Sequence, residues 1–207
     1  FYCPTGSVGY GSHAIQFSDA SGVEGYTLVD IGEGSMMLYG LDSDGTPWIG
    51  LRSFSIVPEK VHLPEFTTEL FSYAMAGTHS VAARYTIDFE NMWMLWAFDE
   101  GCFQDSMISG DIVLASDSYV DNNAFNGCSL ITSVTLPGEE IFLGETVFQN
   151  CTSLKSATIG GLADNSALEF GLFTNANALT DVTFTSWFPD RLMIYLKSEF
   201  RFNAMWT

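Results

Sequence analysis

The sequence predicts a mainly β fold: a solenoid with one parallel strand per coil, preceded by a β-rich N-terminal region. Three observations carry this. Residues 124–136 (AFNGCSLITSVTL), 147–159 (VFQNCTSLKSATI) and 172–184 (LFTNANALTDVTF) superimpose almost residue for residue. Their Phe residues, Phe125, Phe148 and Phe173, stand 23 and 25 residues apart. Each copy ends in an apolar-Thr-apolar triplet, such as Val134-Thr135-Leu136, which alternates as a half-buried strand does. A coil of this length cannot bury its own apolar face. Stacked coils bury it against each other, so the same positions stay apolar in every copy.

Along the chain, residues 1–65 read as a β-rich N-terminal domain or cap. Strand-like runs at 26–31, 35–39 and 48–57 are separated by Gly- and Asp-rich turns. Pro58 to Pro64 reads as a linker. Residues 66–207 read as a right-handed solenoid of about four to five coils with a C-terminal cap. Within it, 66–97 is ambiguous: Phe66 to Ala76 suits a short helix, Tyr85 to Phe89 a strand, and both suit degenerate coils. A fainter copy starts at Cys102-Phe103, 22 residues before Phe125. Five residues before each Phe stands another apolar residue: Phe98, Val120, Leu143 and Leu168. The Phe positions, and the Cys128, Cys151 and Ala176 positions three residues later, should point into the core.

These residues resemble the BspA-like leucine-rich repeat, whose pattern runs Ile-Gly-x-x-Ala-Phe-x-x-Cys-x-x-Leu-x-x-Val-x-Ile-Pro. The resemblance covers about residues 98–184. It is specific from Val120 onward, with Ala124-Phe125, Cys128, Val134, Leu136 and Pro137 in place, and with Leu143-Gly144 leading into Val147-Phe148. The third copy departs by carrying Ala176 in place of Cys. The tail from Phe184 to Trp206 loosely matches the C-terminal cap of such proteins, with Lys197 where Pro is usual. The resemblance implies a leucine-rich-repeat solenoid and an extracellular or cell-surface module that adheres to proteins or cells.

Composition narrows the partners. The chain has 207 residues, 47% of them hydrophobic, enough to bury roughly 70% of its unfolded surface. Seven Lys and Arg stand against 25 Asp and Glu, a formal charge of −18. Such a chain offers few cations for counterion release, so nucleic acid and anionic membranes are excluded as partners. It has no apolar run long enough to span a bilayer. The sequence starts at Phe1 rather than Met, as a processed or partial chain does; a cleaved secretory leader would leave such a start. Of four cysteines, Cys128 and Cys151 occupy equivalent positions in adjacent coils. The strand spacing of about 4.8 Å permits a bridge between them, although a ladder of free buried thiols is the simpler reading.

The candidate ligand-binding residues are the outward positions of the repeat strands: Ser133, Thr135, Ser156, Thr158, Asp181 and Thr183. They should project from one sheet face in ranks, where repeat proteins bind. Thr also simply suits exposed strand positions. Paired hydroxyl ranks occur on ice-binding faces as well, but three imperfect ranks with an Asp in one argue against that. Asp42-Ser43-Asp44-Gly45 resembles the start of a calcium loop; it lacks one acid and has Ser53 where a bidentate Glu is needed, so it reads as a turn. Glu139-Glu140 read as a solvated turn. Asn150-Cys151-Thr152 is a glycosylation sequon set at a coil turn, and is expected to be unmodified. His13, His62 and His79 are scattered, and no phosphate loop, nucleophile elbow or zinc motif occurs. No metal, cofactor or catalytic residue is expected. The expected function is non-enzymatic recognition or adhesion, with a protein or glycan on a cell surface as partner. One alternative is a structural subunit of a virion, filament or other assembly, with copies of itself as partners. The other is an enzyme with its site in the N-terminal region.

Overall fold

The computed structural model describes residues 59–63, 67–77, 84–114, 117–163, 166 and 171–185 in full, and the backbone of five further strands between residues 6 and 53. The turn at 42–45, Cys3, His13, His79, Leu168 and the tail from residue 186, read as a cap, lie outside the described residues.

The N-terminal strands are β1 (Gly6–Val8), β2 (Ile15–Phe17), β3 (Tyr26–Gly32), β4 (Ser35–Leu41) and β5 (Pro47–Ser53). They are followed by β6 (Lys60–Val61), β7 (Glu69–Leu70), β8 (Thr86–Ile87), β9 (Ala97–Phe98) and β10 (Ser109–Val113). The remainder are β11 (Tyr119–Val120), β12 (Leu130–Leu136), β13 (Phe142–Leu143), β14 (Ser156–Ile159) and β15 (Asp181–Phe184). Strands β3, β4 and β5 form an antiparallel meander. Two parallel arrays then run along the solenoid. Short strands stack in the order β13-β11-β9-β7, and β7 pairs with β5, so this sheet continues into the meander. Long strands stack in the order β10-β12-β14-β15.

Each coil passes from a short strand, through a turn carrying the inward Phe, to a long strand. The apolar residues five before each Phe form one rank: Leu70, Phe98, Val120 and Leu143 face each other in register. Phe103, Phe125, Phe148 and Phe173 are fully buried and stack with centroids 5.2, 5.6 and 5.8 Å apart. Phe98 and Phe89 pack against the start of this column. Burial alternates along β14, with Ala157 and Ile159 inside and Ser156 and Thr158 toward the surface. The strands at 26–32, 35–41, 47–53 and 86–87 lie where the sequence places them.

The structure decides between the local alternatives. Of the two readings of the stretch from Phe66, residues 67–77 follow the degenerate coil, with β7 and a turn, and not the helix. Leu70 takes the apolar position, Ala74 the small one and Met75 the place of Phe; the amide of Met75 donates to Cys102 O at 2.6 Å. The stretch read as a linker contains β6, paired in parallel with β8. The turn that carries the inward residue is itself regular. It has two left-handed positions per coil, two residues before and two after the inward residue. Gly101, Asn123, Thr146 and Gly171 occupy the first, with Tyr73 in the earliest coil; Gly77, Asp105, Gly127, Asn150 and Asn175 occupy the second. Gly, Asn and Asp tolerate this region best. At Gly127 (φ 77°) a side chain would also collide with Asp105. The conformation lets alternate amides reach the next coil: Gly101 to Asn122 O, Phe103 to Ala124 O and Asp105 to Asn126 O, at 2.9, 2.8 and 2.8 Å.

Phe125 sits between Phe103 and Phe148, so truncating it opens a cavity in the column. Phe125→Ala should cost about 3–5 kcal/mol in urea unfolding, whereas Thr135→Ala on the outer face should change stability by about 0.5 kcal/mol or less.

Candidate functional site

The long-strand sheet places all six predicted residues on one face. Ser133, Ser156 and Asp181 pair in register, and Thr135, Thr158 and Thr183 pair two residues further on. Side chains alternate across a strand, so both ranks point away from the core formed by Val134, Ala157 and their neighbours. The ranks begin one strand earlier than the sequence suggests. Asp111 pairs with Ser133, and Val113 with Thr135. Both pairs are 22 residues apart, the same spacing as Phe103 and Phe125; the register shift between Gly110 and Asp111 displaces only Ser109 and Gly110. The Asp111 carboxylate accepts hydrogen bonds from Thr132 Oγ1 at 2.8 Å and Ser133 Oγ at 2.7 Å. Those donors, Ser133 first, hold its pKa below the ordinary value. Thr180 Oγ1 donates to Asp181 Oδ2 at 2.7 Å. The face is thus a polar surface of hydroxyls with a carboxylate at each end.

The remaining candidates sort differently. Cys102, Cys128 and Cys151 are free and buried. Cys128 and Cys151 each donate to the preceding coil, Cys128 Sγ to Phe103 O at 3.0 Å and Cys151 Sγ to Phe125 O at 3.2 Å, whereas Cys102 Sγ lies 3.9 Å from Ala124 O in the following coil. Burial pushes the Cys128 thiol up to about 12 and the other two well above their ordinary value. Asn150 belongs to an amide ladder along the turns. It donates to Asn126 Oδ1 at 3.0 Å and accepts from Asn175 Nδ2 at 2.8 Å, so a glycan on its amide would break the ladder. The backbone amides of Glu139 and Glu140 donate to Asp117 Oδ1, while their side chains are exposed. Among the described residues no three His, Cys, Asp or Glu side chains converge as a metal site. No helix among them is long and apolar enough to cross a membrane.

On the short-strand sheet, three carboxylates that sequence reasoning missed come together beside Tyr119. Asp99 is half-buried, hydrogen-bonded to Glu69 and close to Asp121. Burial raises its carboxyl above the ordinary 3.8, and the Asp121 charge raises it further; the hydrogen bonds from Glu69 and the Ser72 backbone oppose the shift only in part. Burial and the same Asp121 charge raise the Tyr119 phenol. Part of this cluster was signalled in the sequence: Asp99 and Asp121 each follow a rank residue, Phe98 and Val120, and stand four before Phe103 and Phe125, whereas Glu69 belongs to the earlier coil that the period does not reach.

A solenoid whose regular coils supply an inward Phe, a small residue three positions on and parallel strands stacked in two arrays defines a leucine-rich-repeat protein of the irregular, Phe-centred kind. The BspA type leucine-rich repeat region matches in 6 copies, over residues 47–155 and 96–190. The chain belongs to that family. The match reaches upstream of Phe98 to β5, consistent with the coil at Leu70–Met75. Among solved structures, a leucine-rich cell surface protein from Faecalibacterium prausnitzii is similar over 85% of this chain and 43% of its own, at 14% identity and a TM-score of 0.55. A leucine-rich repeat protein of T. pallidum is similar over 78% of this chain and 92% of its own, at 18% identity and a TM-score of 0.46. The chain therefore spans less than half of the F. prausnitzii protein, and the likeness shows the fold. A search of curated proteins finds no match.

Two outcomes follow for these groups. A thiol reagent such as Ellman's should leave Cys102, Cys128 and Cys151 unmodified in the native protein and react with all three in denaturant; native reaction at any of them contradicts the burial. Asp99→Asn should stabilise the fold at neutral pH. The folded-state pKa of Asp99 is raised, so its ionisation disfavours the folded state above that pKa. The advantage of the variant should shrink as pH falls through the raised value and vanish below the ordinary 3.8, as read by melting temperature across pH.

Proposed function

We propose that the chain is a non-enzymatic recognition module of a cell surface, adhering to a protein or cell-surface ligand through the β10-β12-β14-β15 face. The observation that carries this is the register itself. Ser133, Ser156 and Asp181, and Thr135, Thr158 and Thr183, stand as two outward ranks on a continuous parallel sheet. A rigid array of hydroxyls and carboxylates, with its backbone already ordered, binds a large surface at little further entropic cost. The family builds such surfaces by stacking coils, and a protein of similar fold is described as a cell surface protein. The step from fold to role is one of analogy. No specific observation favours a virion or filament subunit, or an enzyme.

Thr135→Tyr, Thr158→Tyr and Thr183→Tyr together should test it. Tyrosine suits exposed strands and adds no charge, yet each ring stands up from the face. Fluorescently labelled protein should bind intact cells saturably, and the triple variant, with unchanged circular dichroism, should lose about tenfold or more in affinity. Equal binding by the variant overturns the assignment of the face.

A further inference from the structure

Basic side chains are scarce in this chain, and two of the three that are described line one groove. Of the seven Lys and Arg, three have described side chains: Lys60, Arg84 and Lys155. Lys60 and Arg84 line an open groove of about 790 Å³ together with His62, Glu59, Tyr85, Thr86, Ser109, Gly110, Leu130 and Thr132. Lys155 is exposed just before β14, at the position equivalent to Thr132, and does not line the groove.

The topology explains why a groove opens there. Strand β6 pairs with β8, setting Lys60 beside Thr86, and Tyr85, just before β8, bridges to Ile108, just before β10. Beyond that bridge the β10–β12 register shifts at Gly110, which has φ 87° and open space where a side chain would be. The floor is held fixed. Tyr85 is fully buried, its hydroxyl donates to Ser106 Oγ at 3.0 Å, and its carbonyl accepts from Ser109 Oγ at 3.1 Å. The rim residues Lys60, His62 and Arg84 are exposed. Among the described residues no carboxylate pairs with Lys60 or Arg84, and Glu59 is the one acid that lines the groove.

We propose that this groove binds a short acidic segment of a partner protein, with Lys60 and Arg84 each holding a carboxylate. Two cations facing one cavity of ligand-site size, with no paired carboxylate among the described residues, select an anion. A long polyanion is disfavoured, because the formal charge of −18 repels it everywhere outside the groove. An acidic sugar is disfavoured as well. The exposed Tyr and Trp rings of the described residues, Tyr73, Trp93 and Trp96, do not line the groove, its own phenol, Tyr85, is buried, and the small imidazole of His62 is the one exposed ring among its lining residues. A peptide supplies what the walls can use. Its carboxylates meet the cations, and its amides meet the oxygens of Ser109 and Thr132, whose protons are already donated to Tyr85 O and Asp111. The inference rests on the recognition reading, and it places the contact at one end of the proposed face.

The probe is a fluorescein-labelled hexaglutamate peptide, read by anisotropy at physiological ionic strength and again at about 1 M salt, where the Debye length falls to about 3 Å. Wild type should bind saturably, and binding should be lost at the higher salt. Lys60→Glu with Arg84→Glu should weaken it about tenfold or more. Both positions are exposed, and circular dichroism confirms that the fold is kept. The Thr135, Thr158 and Thr183 triple variant should bind the peptide as wild type does. Peptide binding that survives charge reversal or high salt overturns the proposal, and so does tighter binding of polygalacturonate through the same two residues. Loss of cell binding in the triple variant with no peptide binding by wild type would remove the groove and leave the recognition face standing.

Discussion

The solenoid depends on a match between two spacings. Parallel strands sit about 4.8 Å apart across their hydrogen bonds, and aromatic rings stack a little further apart. Here the Phe column runs at 5.2 to 5.8 Å, so each coil that hydrogen-bonds in register also stacks its ring on the last. Every other regularity follows from that coincidence. The small residue three positions on must fit beneath the turn of its neighbour. Cys serves there because its thiol also donates to the preceding Phe carbonyl. The amides of Asn126, Asn150 and Asn175 form a ladder because equivalent turns lie within reach of one another.

With the interior so occupied, variation is confined to two places: the outward strand positions and the lengths of the coils. The first produces ranks that share geometry but not chemistry, as in Asp111, Ser133, Ser156 and Asp181. The second produces irregularity. Met75 and Phe103 are 28 residues apart, whereas Phe103 and Phe125 are 22 apart. The extra length brings Arg84 and Tyr85 beside Ser109 and opens the groove that regular coils would close.

The same physics decides how much could be read without coordinates. The regular coils were legible because burial against a neighbour forces the same residue type every 22 to 25 positions. Strand faces followed from the alternation, and the ranks of Ser133 and Thr135 followed from the faces. The coil at Leu70–Met75 was obscured because Met can fill a Phe site, and its length breaks the period. Asp111 was within reach of the same reasoning, because it stands eight residues after Phe103 as Ser133 does after Phe125; the weak match of its coil to the repeat left it out of the ranks. The groove left no trace at all. Its residues come from positions 59–62, 84–86, 109–110 and 130–132, which only the stacking of unequal coils brings together.

Charge then separates what such a surface can accept at short range from what it rejects at long range. At physiological ionic strength the field of an exposed charge fades within about 8 Å. A ligand approaching from outside meets the mean field of a strongly acidic chain and is repelled if it is anionic. Once a single carboxylate lies against Lys60 or Arg84, the cation in direct contact outweighs acids held further off and screened by salt. The balance favours ligands whose negative charge is concentrated in a few residues and penalises those that carry it along their length. An acidic protein with a small basic groove is therefore more selective than a basic one. Its attraction acts only where shape has already brought the partner into contact.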